Sequence, residues 1–254
     1  MLLVMKKETL IYIGFLWLLI FCYGCAGDSD NASVNLSGQG GSLARFAISG
    51  NNLYVVGESE LLNYSLADPA KPQFKTKTPI GFDIETIFPR GNYLYIGAQS
   101  GMHIFDISNP DNPVKSSTYE HVTNCDPVVV NGNFAYVSLR AGCGFNNANL
   151  FEVIDITDPV NPKQLGQYSD LESPYGLGVA GNYVYLCEGQ HGLKILNVED
   201  PSNVFLEKEL EMDAYDVIVI DQGRLLLTGA DGIYQFDISD PVTPLLLSEI
   251  PVIE

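Results

Sequence analysis

The chain has 254 residues, of which 46% are hydrophobic and 17% charged, enough for one or two compact domains. Its formal net charge of -18 argues against nucleic acid as a partner and against electrostatic docking to anionic lipid, because both would repel it. Gly, Tyr and Phe are abundant, which favours strands and turns, and no helical periodicity follows the N-terminus.

The N-terminus has the pattern of an export signal. A basic pair, Lys6 and Lys7, precedes a short apolar run over residues 10–21. This run is too short to span a bilayer comfortably but has the length of the apolar part of a signal peptide. The segment therefore predicts export from the cytoplasm.

The end of this segment resembles a bacterial lipoprotein signal, because Gly24 stands directly before Cys25. The match departs from the family at Cys22, where leucine or a similar residue is usual. The resemblance implies that residues 1–24 are a lipoprotein signal peptide and that Cys25 is lipidated. Cleavage nearby to give a soluble secreted protein is the alternative.

Residues 25–41 are predicted to be the lipidated cysteine followed by a flexible linker, because residues 26–41 are polar and rich in Gly and Ser. Their acidic start, Asp28 to Asp30, resembles the surface-export signal of Bacteroidetes lipoproteins. Acyl chains such as palmitate would then attach the protein to the outer membrane by burying methylene groups. The expected location is the cell envelope, with periplasmic and surface display both open.

A proline phrase recurs at intervals of about forty residues through the rest of the chain. A second phrase, Gly-Asn-x-x-Tyr, precedes each of the first four copies and is degenerate in the fifth. Such a period indicates stacked supersecondary units. The proline phrases begin at Asp68-Pro69, Asn109-Pro110, Asp158-Pro159, Asp200-Pro201 and Asp240-Pro241.

Each unit divides into four short strands. In the second unit the pattern predicts Ile84–Phe88, Tyr93–Gly97, Met102–Ile107 and Val114–Tyr119. Proline cannot donate to a sheet ladder, so the proline phrase ends the third strand and fixes a turn into the fourth.

Five such units predict an all-β fold over residues 42–254, a five-bladed β-propeller of four-stranded antiparallel blades, in which neighbouring blades bury each other. No segment of the sequence obviously supplies a closing strand shared between the first and last blades. A sixth, partial blade from residues 31–41 is the alternative, although that segment is poor in strand formers.

The third strands carry a further likeness. Ile104-Phe-Asp-Ile-Ser, Val153-Ile-Asp-Ile-Thr and Gln235-Phe-Asp-Ile-Ser, each before a proline turn, resemble the LVIVD repeat family. The resemblance covers residues 43–254 and implies a propeller-like bacterial lipoprotein without an established activity or catalytic residues to transfer. The recurring small acceptor at this position is predicted to bond the backbone amides of the turn. It is Asp106, Asp155 and Asp237 in three copies, Ser65 in the first and Asn197 in the fourth.

Antiparallel topology places the repeated turns on one end of the propeller, here named the proline face. The loops between second and third strands and the connections between blades lie at the other end, here named the loop face. Because the proline face is scaffold, we expect ligands on the loop face. The candidates are His121, Asp126, Arg140, Tyr175, Glu188, His191, Tyr215 and Asp216.

The cysteines beyond the signal have separate expectations. Cys125 begins a first strand, and Cys143 lies in the inserted segment 141–149, so a Cys125–Cys143 disulfide is predicted to staple that loop. A metal pair with His121 is the alternative. Cys187 is expected to be a buried free thiol within a second strand.

No phosphate loop, nucleophile elbow or zinc motif occurs, so neither a cofactor nor a metal is predicted. The favoured function is a non-enzymatic binding or scaffolding module that engages a protein or a glycan. The alternative is a hydrolytic enzyme, such as a glycoside hydrolase, that uses carboxylates at the propeller mouth, Asp126 and Asp216. A structural part in a larger envelope complex is a third possibility.

Overall fold

The computed structural model describes residues 41–120, 127–142 and 148–252. These residues form five four-stranded antiparallel sheets, and within each sheet the strands are ordered as in the chain. The protein is a five-bladed β-propeller, as the sequence predicts. Among the described residues, no helix is long and apolar enough to cross a membrane.

The twenty strands of the described residues have the following bounds. Blade one contains β1 Phe46–Ser49, β2 Asn52–Val56, β3 Glu60–Ser65 and β4 Gln73–Pro79. Blade two contains β5 Ile84–Arg90, β6 Tyr93–Ala98, β7 Gly101–Asp106 and β8 Val114–Tyr119. Blade three contains β9 Val128–Asn131, β10 Phe134–Leu139, β11 Leu150–Asp155 and β12 Lys163–Tyr168. Blade four contains β13 Leu177–Ala180, β14 Tyr183–Cys187, β15 Leu193–Asn197 and β16 Phe205–Leu210. Blade five contains β17 Asp216–Asp221, β18 Arg224–Thr228, β19 Gly232–Asp237 and β20 Leu245–Pro251.

The hydrophobic core lies between consecutive blades rather than within any one of them. Separate apolar clusters join blades one and two, two and three, three and four, and four and five. A tyrosine from each Gly-Asn-x-x-Tyr phrase is buried in these clusters: Tyr54, Tyr95, Tyr136 and Tyr185.

The two repeated phrases meet across these junctions, which explains why they recur together. The Tyr185 hydroxyl donates to the carbonyl of Pro241 in the next blade at 3.0 Å. Elsewhere a neighbouring side chain makes the same contact: Asn63 donates to the Pro110 carbonyl at 2.7 Å. Each such bond satisfies a turn carbonyl of the following blade.

The small acceptor of the third strand bonds the turn amide in all five blades, which confirms its predicted structural role. A side-chain oxygen accepts a hydrogen bond from the backbone N–H two residues on. The side-chain hydroxyl of that later residue and its backbone N–H together lower the pKa of Asp106 and Asp155, and the backbone N–H and then the hydroxyl lower the pKa of Asp237. The five acceptors are Ser65, Asp106, Asp155, Asn197 and Asp237, at 2.7 to 3.3 Å.

The segment before β1 crosses the centre of the propeller. The Ala44 carbonyl accepts a hydrogen bond from the Ile87 amide of blade two at 2.9 Å. Ser42 is buried, and its hydroxyl accepts from the Leu177 amide of blade four at 2.7 Å. The same hydroxyl donates to a carboxylate oxygen of Asp216 in blade five at 3.4 Å. The start of the propeller is therefore tied to its second, fourth and fifth blades, although no strand of the described residues is shared between blades.

The expectation for Cys187 is met. Cys187 is a buried free thiol. His103 is buried within β7, where its Nδ1 atom lies 3.0 Å from the Thr118 hydroxyl. Cys125 and Cys143 lie outside the described residues, so their disulfide stays a prediction.

Candidate ligand cleft on the loop face

A small cleft of about 180 Å³ opens on the loop face around blade four. Three separate connections supply its walls: those from β12 to β13, from β14 to β15 and from β16 to β17. We name it the tyrosine cleft. It is lined by Ser173, Tyr175, Glu188, Gln190, His191 and Tyr215.

Tyr175 is the centre of this arrangement. Its ring meets the ring of Tyr215 edge to face, with centroids 5.8 Å apart and planes at 89°. The guanidinium carbon of Arg140 lies 4.3 Å from the centroid of the Tyr175 ring, within the range of a cation–π contact. The Tyr175 carbonyl accepts a hydrogen bond from the Ser138 hydroxyl at 2.9 Å. Contacts from blade three and from the β16–β17 connection therefore fix the aromatic ring.

Gly189 makes room for that ring. Its φ angle is +61°, and a Cβ atom at this position would lie 2.8 Å from the Cε2 atom of Tyr175. Both the backbone conformation and the close approach therefore favour glycine.

Glu188 is fully buried and holds one wall of the cleft in place. One of its carboxylate oxygens accepts the backbone amides of Glu172 and Ser173 at 2.8 and 3.2 Å. The other accepts a hydrogen bond from the Lys194 ammonium group. Burial opposes the charge of Lys194, but the bond and the charge of Glu188 outweigh it and raise the pKa of Lys194. These contacts make Glu188 a residue that positions the loop.

His191 and Glu172 form the outer rim. The Nδ1 atom of His191 lies 2.9 Å from a carboxylate oxygen of Glu172, and both side chains are about half exposed or more. This pair borders the entrance with polar groups, whereas Tyr175 and Tyr215 give the floor its aromatic surface.

Asp216 lies against the segment before β1 and does not line the tyrosine cleft. A Cβ atom on Gly41 would meet its Oδ2 atom at 2.8 Å, and one on Gly176 would approach its Oδ1 atom more closely still. Burial raises the pKa of Asp216 to about 6, partly offset by hydrogen bonds from the Val217 amide and Ser42. A large fraction of this carboxyl group is therefore protonated at mildly acidic pH.

The candidate residues of the sequence thus fall into three groups. Arg140 and four cleft residues, Tyr175, Glu188, His191 and Tyr215, lie together. Asp216 is separate, at the centre of the propeller. His121 and Asp126 lie outside the described residues, so whether Asp126 approaches Asp216 stays a prediction.

Sequence reasoning missed the support of the cleft. Lys194 is a charged residue inside the apolar strand β15, Leu193–Asn197, and a buried lysine requires a charged partner. That signal was available in the sequence. The roles of Glu172 and Ser173 were not available, because they depend on how the β12–β13 connection folds back onto Glu188.

The described residues contain no group of three His, Cys, Asp or Glu side chains placed to hold a metal ion. The tyrosine cleft instead offers two aromatic rings, an amide, an imidazole and a hydroxyl. Such a surface can stack on a planar or apolar group and hydrogen-bond to its polar edge.

Solved structures share this architecture. A periplasmic gluconolactonase from Pseudomonas aeruginosa superposes with a TM-score of 0.63 at 11% identity, over 80% of this chain and 68% of that one. A functionally unknown protein from Desulfotomaculum acetoxidans gives 0.64 at 13% identity, over 82% and 69%. A hypothetical selenium-binding protein from Sulfolobus tokodaii gives 0.60 at 15% identity, over 81% and 60%. At these identities the similarity shows the fold alone.

The chain spans between 60% and 69% of the length of these solved chains. A comparison with curated proteins finds no significant match. The fold and its interblade contacts define a five-bladed β-propeller with a cleft on the loop face. The LVIVD repeat matches residues 86–121, 124–170 and 176–210. The second, third and fourth blades of this β-propeller are therefore LVIVD repeats, as the sequence of the third strands indicates.

Proposed function

We propose that this propeller is a non-enzymatic binding or scaffolding module of the cell envelope, which engages a protein or a glycan through the tyrosine cleft. The observation that carries the proposal is the fixed Tyr175–Tyr215 pair, with Arg140 against the Tyr175 ring. Preorganised aromatic rings contribute binding energy at little cost in conformational entropy. The cleft volume of about 180 Å³ suits a single sugar ring or one side chain of a protein partner.

Buried hydrogen bonds fix the loops of the tyrosine cleft. Glu188 is fully buried with Lys194, and desolvation makes such a pair a poor source of stability. Two of the three hydrogen bonds that Glu188 accepts instead fix the β12–β13 connection beneath the entrance. This preorganisation supports a recognition role for the cleft.

Photo-crosslinking in intact cells tests this proposal. A photoreactive amino acid replaces Gln190, which is exposed beside the cleft. The matched control replaces Asn182, an exposed residue of the same blade on the proline face. We expect the Gln190 probe alone to capture a defined protein or glycan. Equal capture by both probes would contradict the proposal.

A second variant pair tests the chemistry of the captured contact. Tyr175 and Tyr183 are both partly buried and pack against the same hydrophobic cluster, but they belong to opposite faces. Tyr175→Ala should reduce capture at least tenfold, whereas Tyr183→Ala should leave it near the wild-type level when the two proteins are equally abundant. Similar losses in both variants would indicate a general effect on stability.

The proposal includes lipid attachment at Cys25 and an outer-membrane location, which rest on the N-terminal sequence. An alkyne analogue of palmitate should label the wild-type protein and the Cys22→Ser variant. Cys25→Ser should abolish the label. An unlabelled wild-type protein would refute the anchor.

Hydrolysis is the second candidate function, and the raised pKa of Asp216 favours it, because a protonated carboxyl can act as a general acid. A glycosidase would need a second carboxylate, for which the sequence suggests Asp126. Release of sugar from envelope glycans, abolished by Asp216→Asn and by Asp126→Asn, would support this candidate over simple binding.

A further inference from the structure

Blade one has an outward apolar face, directed away from blade two. The register places Phe46, Val55 and Leu62 on one side of the sheet, together with Tyr64 and Phe74. Phe46 is 60% exposed and Phe74 57% exposed. We name this surface the blade-one face.

The equivalent positions of blade two are buried. Ile87 of β5 corresponds to Phe46 of β1 and is only 2% exposed, and Phe105 of β7 corresponds to Tyr64 and is 1% exposed. Blade one covers these two residues in the first interblade cluster. The blade-one face is thus built from positions that blade two buries against a preceding blade.

Blade five presents the opposite surface, directed away from blade four. Its register groups Ile218, Leu226, Gln235 and Ser248 on one side, next to the pair Ile233 and Ile250. Ile250 and Ile233 remain 66% and 42% exposed. We name this surface the blade-five face.

These two faces do not pack against each other in the part of the chain that the structure describes. Each of the four consecutive junctions contains a buried apolar cluster, but none of these clusters combines residues of blade five and blade one. The first strands of consecutive blades pack on each other, whereas β1 and β17 make no comparable contact.

The two faces also carry matching hydrogen-bonding groups. At the second junction the Ser117 hydroxyl donates to the Pro159 carbonyl of the next blade at 2.6 Å. Ser248 of β20 occupies the register position of Ser117, since each is the partner of the equivalent residue of its third strand. The turn of Pro69 in blade one is the counterpart of the Pro159 turn. Ser248 bonds Gln235 in its own blade, at 3.2 Å.

Charge differs between the two blades in the direction that favours their association. Blade one, residues 42–80, carries four basic and three acidic residues. Blade five, residues 213–252, carries seven acidic residues and one basic residue. In a strongly acidic chain, blade one is therefore the part that an acidic blade five repels least.

We propose that a second copy of this chain covers these surfaces, with the blade-five face of one copy stacked on the blade-one face of the other. The contact would repeat the junction that each chain forms four times internally. Leu226 stands where the other blades have a tyrosine, so the new junction is more apolar there. Such a head-to-tail contact joins unlike surfaces, and it forms a closed ring or an open array depending on the rotation between copies.

Cysteine pairing between two copies tests the contact. At the third junction, a Cβ atom on Gly166 would lie 3.2 Å from the Cα atom of Ser202, the residue after Pro201. The equivalent positions of the proposed contact are Ser248 and Ala70. Differently tagged full-length chains carrying Ser248→Cys and Ala70→Cys are therefore coexpressed and oxidised in intact cells.

We expect a disulfide-linked heterodimer only when both variants are present, and only background from either variant alone or from the wild type. Ser117→Cys with Val160→Cys in one chain, at a junction closed in the structure, calibrates the yield. Absence of the heterodimer at a normal calibration yield would overturn the proposal. So would an internal disulfide in a single chain carrying both Ser248→Cys and Ala70→Cys, because the propeller would then close on itself.

A pair of charge variants distinguishes the contact from random collisions. Ile250→Glu places a charge on the blade-five face and should reduce the crosslinked fraction at least tenfold. Val114→Glu changes a residue that is similarly exposed, at 53%, on blade two and should leave the fraction unchanged. Equal crosslinking in both variants would show that the blade-five face is not the contact.

Discussion

Blades four and one follow one design, but the charged pairs on the sides that they turn away from the following blade differ in burial. On the proline face, both bury a tyrosine of the same phrase, Tyr185 and Tyr54. Near the loop face, blade four buries the Glu188–Lys194 pair, whereas the Glu60–Lys77 pair of blade one is largely exposed. Buried charge costs stability unless fully satisfied, so its presence in blade four indicates a role other than holding the blades together.

Among the substitutions that test this comparison, removal of Lys194 should change the free energy of unfolding most. Lys194→Met leaves the carboxylate of Glu188 buried without its cation, which should lower the free energy of unfolding by about 3–5 kcal/mol. Lys77→Met is the control and should cost less than about 1 kcal/mol, because its ion pair is exposed. Urea denaturation of both variants measures the difference. Equal losses would mean that the buried pair is not special.

The double variant Glu188→Gln with Lys194→Met sharpens this test. An amide at position 188 can still accept the Glu172 and Ser173 amides, so the double variant should recover part of the loss. If the double variant is less stable than Lys194→Met, the buried, unpaired carboxylate of Glu188 is not the cause of the loss in Lys194→Met.

The next effect depends on pH and belongs to the fourth and fifth blades. The pKa of Asp216 is about 6 in the folded protein and 3.8 ordinarily. As pH rises, the unfolded chain therefore loses this proton before the folded protein does. The contribution of Asp216 to the free energy of unfolding is present below pH 4 and is lost as the pH passes 6. Asp216→Asn should raise the free energy of unfolding at pH 7.5 by on the order of 2 kcal/mol, with little change at pH 4. The same gain at both pH values would refute this role.

His103, at the junction of blades one and two, should show the opposite dependence. Burial first, and the charge of Lys115 second, lower the pKa of His103 from 6.5 to about 4. The unfolded chain takes up this proton more readily, so stability is present above pH 6.5 and lost as pH falls towards 4. In His103→Gln, the free energy of unfolding should therefore fall less on acidification from pH 6.5 to 4, by on the order of 2 kcal/mol. The measurement is the denaturation midpoint of the wild type and of the variant as the pH is lowered. An equal decrease in both proteins would contradict this role of His103.

The smallest effect compares the two tyrosines. Tyr185→Phe deletes the hydrogen bond to the Pro241 carbonyl and should cost about 1 kcal/mol. The Tyr54 hydroxyl is buried without a hydrogen-bond partner among the described residues. Tyr54→Phe should therefore be neutral or slightly stabilising in the same urea titration. A reversal of this order would show that the hydroxyl positions are not as described.

The sequence predicts the propeller well because each blade repeats its signals. The strand bounds predicted for blade two agree with those observed within two residues, since proline and Gly-Asn turns mark where strands end. The five turn acceptors recur even where aspartate is replaced by Ser65 or Asn197.

The candidate site is less predictable, because no period describes it. Topology alone places Tyr175, His191 and Tyr215 on the loop face, and the structure brings them together. The path of the β12–β13 connection, which turns Glu188 from a ligand candidate into a support, depends on contacts between residues 15 and 16 positions apart. The exposure of Phe46 and Ile250 also has no sequence signal, because equivalent apolar positions are buried in other blades.

The Ser42 hydroxyl has a consequence for how the chain folds. Its bond to the Leu177 amide spans 135 residues, and its bond to Asp216 spans 174. Local hairpins can form early during synthesis, but these two contacts must wait until the fourth and fifth blades have emerged. Repeat arrays often unravel one unit at a time, whereas here the earliest residues of the fold lose partners when the last blades open. We therefore expect the two ends to unfold together.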